Sequence, residues 1–334
     1  MIHPVNINAI RELISFPKNI SILSHRNPDG DALGSTLALS HYLQGLGHQV
    51  QVIMPSEYPL NFEWLPQANQ IITYDLSPKQ AEDWIKASQL IFLLDFNSLD
   101  RIDKMGLWVQ ESSAPKVMID HHIEPEPIAD VILSEDWRSS TSEMVYIILS
   151  QLGREAKFSD EIDKCIYTGI LTDTGSFHHN TSPELYRLVA DMKERGLQDG
   201  TIQEMVNNSQ PDKYLQLLGH CLYNRMELLP DIHAGYIYLT REDYKKFDIQ
   251  RGDTEGIINY LMMLKSVRVG VLVMHQPSII KLSMRSKGDI NVQMICRKYF
   301  NGGGHKNASG GSSKVSLEDT LSHLKTALRE LAGT

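Results

Sequence analysis

The chain has 334 residues, 42% of them hydrophobic and 22% charged, a length that exceeds what one core usually organises and predicts two domains. The composition excludes a disordered or fibrous chain, and wholly apolar runs such as Leu90 to Leu94 fall far short of the ~20 residues that cross a bilayer. Of the net charge of −9, residues 1–210 carry 15 Lys and Arg against 29 Asp and Glu, whereas residues 211–334 carry 17 against 12. An acidic first part and a mildly basic second part argue against long nucleic acid, duplex included, and leave short anionic substrates open.

The first residues, MIHPVNINAIRELISF, show no basic stretch leading into an apolar one and no small-residue cleavage site, so a cytoplasmic protein without a membrane partner is expected. Cys165, Cys221 and Cys296 are far apart and odd in number, which predicts buried thiols rather than a disulfide framework or a CxxC site.

In chain order, apolar runs bounded by turn residues predict buried strands at Ile20 to Ser24, Val50 to Met54, Leu90 to Leu94 and Lys116 to Ile119. Helical periodicity lies between them at Ala32 to Leu46, stopped by Gly47, and at Pro78 to Ala87. Strands alternating with helices predict an α/β domain with a parallel sheet covered on both faces. Helices then follow at Ser142 to Leu152, Asp160 to Thr172 and Pro183 to Arg195. The polar NNSQPD stretch breaks the periodicity and marks a boundary. The expected organisation is a first domain over residues 1–200, a linker over 201–215 and a smaller α/β domain over 216–334. That second domain has strands at Ala234 to Leu239, Val267 to Met274 and Ile279 to Met284, with helices at Gly256 to Leu264 and Leu317 to Leu331.

The chemistry-bearing residues sit where strands end. His25, Asp29 and Asp31 lie between the first strand and its helix, Asp95 follows the third strand, and Asp120, His121 and His122 follow the fourth. Ligands of open α/β sheets bind at such carboxyl ends. A single Asp there is commonly a helix cap, and Asp29 or Asp31 alone reads equally well as one. Three consecutive strand ends delivering Asp or His to one edge read as a site. Asp173, ending the apolar run of GILTDTGSF, adds a fourth acid position. Position 33 is Leu and position 40 is Ser, which rules out an EF-hand loop. Imidazoles and carboxylates without cysteine suit Mn, Fe or Zn in hydrolytic sites. Four buried carboxylates call for balancing charge, which two divalent cations would supply. Such a pair about 4 Å apart holds a hydroxide nucleophile and stabilises a phosphoryl group during displacement.

These residues carry a resemblance. His25-x-x-x-Asp29-x-Asp31, Asp95, Asp120-His121-His122 and Asp173 match, in order, the four motifs of the DHH phosphoesterase family. NGGGHKNASGG, Asn301 to Gly311, resembles the glycine-rich signature of that family's associated C-terminal domain, and Met284-Arg285-Ser286 its upstream arginine motif. Length and the GGGH signature make the chain most similar to the NrnA-like, nano-RNase and pAp-phosphatase branch. It is related to the longer RecJ-type exonucleases, whose added nucleic-acid-binding domains have no room here.

The resemblance implies an active site in the cleft between the two domains and two divalent metal ions, manganese first, with magnesium, iron, cobalt and zinc as alternatives. It implies that His25, Asp29 and Asp95 hold one metal and that Asp31, Asp95, His121 and Asp173 hold the other, with Asp95 bridging. His122 would face the phosphate, and Asp120 would orient neighbouring groups. Arg285, Gly302, Gly303, Gly304 and His305 would bind substrate, the glycines by letting backbone amides approach an anion and Arg285 through its planar fork. No Gly-Lys-Ser/Thr closes the glycine run, so it is not a P-loop. Short RNA or DNA oligonucleotides and 3'-phosphoadenosine 5'-phosphate are the implied substrates. A cyclic dinucleotide, polyphosphate or pyrophosphate, and a non-catalytic nucleotide sensor are the alternatives, and a homodimer is compatible with all of them.

Overall fold

A computed structural model describes residues 2–153, 158–209, 211–250 and 252–333. It divides into two compact units, Met1–Ser209 and Gln210–Thr334. Gln210, inside the expected linker, lies outside the described residues.

The first unit runs α1 (Pro4–Leu13), β1 (Asn19–Leu23), α2 (Gly30–Gly45), β2 (Gln49–Met54), β3 (Ile72–Thr73), α3 (Pro78–Ala87), β4 (Leu90–Leu94), α4 (Met105–Glu111), β5 (Lys116–Asp120), β6 (Val131–Ser134), α5 (Thr141–Leu152), α6 (Asp160–Asp173), α7 (Pro183–Glu194) and α8 (Asp199–Asn207). Its six strands form one parallel sheet in the order β3-β2-β1-β4-β5-β6. The predicted strands form its centre because their residues are apolar on both faces. Leu90, Phe92 and Leu94 enter the core shared with α1, α2, α5, α6 and α7, and Ile91 and Leu93 enter the one shared with α3 and α4. The two strands the apolar pattern did not predict, β3 and β6, are the short edges of the sheet. β6 is only partly buried and lacks a long hydrophobic run.

The sheet reverses direction at β1 and β4: β2 and β3 extend one way, β4, β5 and β6 the other. Because β1, β4 and β5 are adjacent and parallel, their carboxyl ends share one edge. Segments leaving adjacent strands on opposite sides of a sheet open a crevice there.

One further contact shapes that edge. Helices α2 and α6 approach through glycine, since a Cβ on Gly34 would lie 2.4 Å from the Cys165 carbonyl oxygen and 2.9 Å from the Gly169 nitrogen. A Cβ on Gly169 would fall 1.9 Å from Ser142 Oγ and 2.7 Å from Asp31 Oδ1. Asp31 in the first turn of α2 and Asp173 at the end of α6 thereby reach the same edge.

The second unit comprises α9 (Asp212–Asn224), β7 (Met226–Leu229), β8 (Ala234–Leu239), α10 (Arg241–Lys246), α11 (Ile257–Met262), β9 (Val269–His275), β10 (Ile280–Ser286), α12 (Val292–Phe300), β11 (Gly303–Gly304), β12 (Ala308–Ser313) and α13 (Leu317–Gly333). Helices α8 and α9 occupy most of residues 201–215. The mixed sheet has the order β11-β12-β10-β9-β8-β7, with only β8 and β9 parallel. Helices α12 and α13 pack on one face, α9 and α11 on the other. The three cysteines are free thiols and buried, Cys165 in the first unit, Cys221 and Cys296 in the second. Among the described residues no helix is long and apolar enough to cross a membrane.

Gly34→Ala is expected to destabilise the first unit by ~1–3 kcal/mol, because the added methyl meets backbone that cannot rotate aside. Urea unfolding measures this as a lower midpoint at unchanged slope. An unchanged midpoint would mean that α2 and α6 can separate without cost.

Candidate active site

The strand-end residues converge. His25 Nε2 lies 3.3 Å from Asp95 Oδ2 and 3.9 Å from Asp29 Oδ1. His121 Nε2 lies 3.4 Å from Asp173 Oδ2, 3.6 Å from Asp95 Oδ1 and 3.9 Å from Asp31 Oδ2. Asp95 thus turns one oxygen toward each imidazole. Its backbone sits in the left-handed region at φ 63°, a conformation costly for a residue with a Cβ. Its amide is fixed there by donating to the Ile119 carbonyl at 3.1 Å.

Asp29 caps α2, accepting from the amides of Asp31 and Ala32, so the capping reading and the cluster reading hold together for this residue. Asp31 is buried and accepts from the amides of Thr141 at 2.7 Å and Ser142 at 2.9 Å, in the first turn of α5. A helix N-terminus favours an anion at that place. Even so, burial and the neighbouring Asp95 and Asp173 push the Asp31 carboxyl well above its ordinary range. Thr141 Oγ1 also donates to Asp95 at 3.1 Å. These α5 contacts were absent from the sequence reading, which started the helix at Ser142. The signal was the Ser140-x-x-Glu143 pattern, in which the Ser140 hydroxyl accepts the Glu143 amide as an N-cap.

The imidazoles are oriented by their other nitrogens. His25 Nδ1 is 3.0 Å from the Arg26 carbonyl and His121 Nδ1 is 3.4 Å from the Arg138 carbonyl. Donation to a carbonyl fixes each ring with Nε2 toward the carboxylates, where it carries a proton when no metal is bound and would offer its lone pair to a metal once that proton is displaced. Burial pulls His121 down, but Asp173, Asp95, Asp31 and Asp120 outweigh it and carry its pKa up to about 9. Burial likewise opposes ionisation of Asp95, yet the His25 hydrogen bond and the charges of His25 and His121 hold it below the usual carboxylate range. His122 differs from its neighbour. Its Nδ1 is 2.7 Å from Asp120 Oδ1, but burial dominates and lowers its pKa. A neutral His122 that donates from Nδ1 carries its lone pair on Nε2.

Within the first unit, three groups of side chains each bring ligand atoms within 4.8 Å of one another: His25, Asp29 and Asp95; Asp31, His121 and Asp173; and Asp95, Asp120 and His122. Their chemistry fits divalent cations, because buried acids drive one another's pKa apart and a cation between them would relieve the repulsion. Asp120 Oδ2 is moreover buried without a hydrogen-bond partner among the described residues.

In the second unit, Arg285 on β10 stands in register with Ala308 on β12, and Gly304 on β11 with Ser309. The His305 amide donates to the Ala308 carbonyl at 2.8 Å, closing the turn between β11 and β12. Arg285, Gly303, Gly304 and His305 therefore lie at one end of this sheet. Asn307 holds that end, donating from Nδ2 to Ser286 Oγ and to the Gly288 and Ile290 carbonyls. Gly302 departs from the expectation of an amide open to an anion. Its N–H donates to the Cys296 carbonyl at 3.1 Å, because α12 ends in a left-handed Asn301 and its last carbonyls need donors. A Cβ at Gly302 would lie 1.9 Å from the Gly310 carbonyl oxygen, so close packing explains this glycine.

The DHH family N-terminal domain matches residues 19–170, and the DHHA1 domain matches residues 233–333. An exopolyphosphatase-related protein from Bacteroides fragilis shares 35% identity and superposes with a TM-score of 0.93, over 99% of this chain and 97% of that one. A bifunctional oligoribonuclease and PAP phosphatase NrnA from Thermus thermophilus is 26% identical, over 93% of this chain and 89% of its own length. A membrane protein–large ribosomal subunit bL9 fusion protein of onion yellows phytoplasma is also 26% identical over 96% of this chain, which spans 38% of the length of that protein.

Manganese is expected to raise the thermal midpoint of the full chain, since an ion held at 100 times its Kd stabilises the folded state by ~2.7 kcal/mol. Asp95→Asn should abolish the shift, because Asp95 faces both imidazoles. A variant that retains the shift and two manganese ions per chain by elemental analysis would remove Asp95 from the centre of the cluster.

Proposed function

Since the chain belongs to the DHH family of phosphoester hydrolases, we propose that its substrates are short oligonucleotides and 3'-phosphoadenosine 5'-phosphate, hydrolysed with two divalent cations, manganese first. The observation that carries the reading is the placement of Asp95 between two imidazole–carboxylate groups at a sheet's switch point. The resemblance to the Thermus thermophilus oligoribonuclease and PAP phosphatase supports the choice of substrates.

When bound, the cations would activate a water nucleophile and neutralise phosphoryl charge. His25, Asp29 and Asp95 would hold one, and Asp31, Asp95, His121 and Asp173 the other. The protein's own groups supply the rest. Neutral His122 accepts a proton at Nε2 from the attacking water, and Asp120, 2.7 Å from Nδ1, stabilises the imidazolium that forms. Arg285, Gly303, Gly304 and His305 bind a phosphate away from the scissile bond.

A second reading, hydrolysis of polyphosphate or pyrophosphate, has specific support in the name of the Bacteroides fragilis relative. The deciding assay offers RNA dimers to pentamers, 3'-phosphoadenosine 5'-phosphate, cyclic di-AMP, pyrophosphate and polyphosphate, each with manganese, with magnesium and without metal. Mononucleotides from RNA dimers and AMP from the bisphosphate, only with metal, are expected. Turnover of polyphosphate or pyrophosphate without turnover of dimers would replace this reading with the second one, and turnover of cyclic di-AMP alone would identify a cyclic dinucleotide phosphodiesterase.

His122→Ala should keep its manganese and lose ~10²–10⁴-fold in kcat, the contribution of a positioned proton acceptor. Equal loss of metal and turnover would make His122 a ligand instead.

Arg285→Ala should raise KM ~10- to 150-fold for dinucleotides, the worth of one charge-assisted contact, with metal content unchanged. Small phosphodiesters that carry no second phosphate should be much less affected. An equal loss on both substrate kinds would show that Arg285 supports the fold or the chemical step.

A further inference from the structure

The two imidazoles that face Asp95 are aimed by a common device. His25 Nδ1 meets the carbonyl of Arg26 and His121 Nδ1 that of Arg138, and each of these arginines has its guanidinium held by two carboxylates. A histidine ring turns about its side-chain bonds, so a fixed acceptor at Nδ1 fixes where Nε2 points. Whatever holds the arginine's peptide therefore bears on the ligand atom at the far side of the ring.

The Arg26 clasp gathers the carboxyl ends of four adjacent strands. Arg26 follows β1, and its guanidinium donates to both oxygens of Asp75, beyond β3, at 2.8 and 2.9 Å and to Asp103, between β4 and α4. Its amide donates to the Arg101 carbonyl at 2.8 Å. The next amide, of Asn27, donates to Ser56 Oγ, beyond β2, at 2.9 Å, and Asn27 is in the left-handed region at φ 54°. The peptide between Arg26 and Asn27 is thus tied at both ends, its oxygen to His25 and its N–H to Ser56.

The Arg138 clasp lies at β5 and β6. Glu135 follows β6, and its amide donates to the Asp120 carbonyl at 3.1 Å. Arg138 donates to Glu135 at 2.7 Å and to Glu143, in α5, at 3.0 Å, and the Trp137 ring covers its guanidinium at 3.8 Å. The two clasps differ in their access to solvent. The side chains of Arg138 and Glu143 are each 2% exposed, whereas those of Arg26, Asp75 and Asp103 are 33%, 45% and 44% exposed. Salt screens an exposed ion pair and acts much less on a buried one.

We propose that Arg26 is a positioning residue for the His25 group, and that its open clasp makes that group's hold on a cation more sensitive to salt than the hold of the His121 group, which the closed Arg138 clasp secures. The assignment rests on the two-cation reading above and extends it to side chains outside the ligand set.

The test follows manganese binding to the full chain by calorimetry, resolved into two steps. Arg26→Gln should weaken one step ~10- to 100-fold, the usual effect of removing a partner behind a metal ligand, and leave the other within about twofold. Arg26→Lys keeps the charge without the fork and should recover part of the loss. Asp75→Asn leaves Arg26 its Asp103 partner and should weaken the same step by less. In the parent chain, going from about 0.1 to about 1 M salt shortens the screening length from ~10 to ~3 Å and should weaken that step more than the other. The difference should disappear in Arg26→Gln. These variants are confined to the exposed clasp, because Arg138→Gln would leave Glu143 a buried and unpaired charge. Two steps unchanged in Arg26→Gln overturn the proposal. Equal weakening of both overturns it too and reduces Arg26 to general support of the fold, and so does an equal salt dependence of the two steps in the parent chain. A parent chain that binds fewer than two manganese ions overturns the two-cation reading and this proposal with it. Absence of turnover across the substrate panel with two ions bound is the failure of the phosphoesterase reading alone.

Discussion

Mutual repulsion among buried carboxylates is the constraint to which the rest of this site is fitted. Asp31 and Asp95 are almost wholly excluded from solvent, and His121 lies within 4 Å of both and of Asp173. Left alone, such groups would take up protons or force the chain apart. Each has a local answer. The two amides at the start of α5 receive Asp31, Thr141 and His25 receive Asp95, and the His121 imidazole serves the remaining face. These answers offset only part of the cost, as the raised Asp31 carboxyl records. Divalent cations are the remaining answer, and the donor set suits them.

The sheet makes this concentration of charge affordable by placing it at an edge that the strands cannot avoid having. Carboxyl ends of parallel strands need polar termini in any case, and three of them adjoin here. That is why the central strands and the residues following them could be read from the amino-acid order. Apolar runs such as Leu90 to Leu94 are buried on both faces and carry an unambiguous pattern, and Asp95 interrupts its run abruptly. Edge strands β3 and β6 had no such pattern, because β3 is only two residues long and β6 is a four-residue, mostly half-buried segment.

Other parts of the site were not legible because their meaning is tertiary. Nothing in the local sequence around Gly34 or Gly169 says that each faces the other's helix, and the spacing of Asp31 from Ser142 hides the amides that seat it. Gly302 shows the reverse case. A glycine run suggested open amides, but the end of α12 claims one of them, and only the helix boundary reveals it.

The burial of the three thiols gives the molecule built-in reporters. Burial pushes Cys221 and Cys296 up to about 12 and Cys165 higher still, so none presents a thiolate while its unit is closed. Cys165 lies in α6, its backbone carbonyl against Gly34, and the other two lie in the cores of the second unit. Alkylation followed cysteine by cysteine would therefore time the opening of each unit on its own, without any label being introduced, and the Cys165 signal would follow the same helix contact that brings Asp31 and Asp173 together.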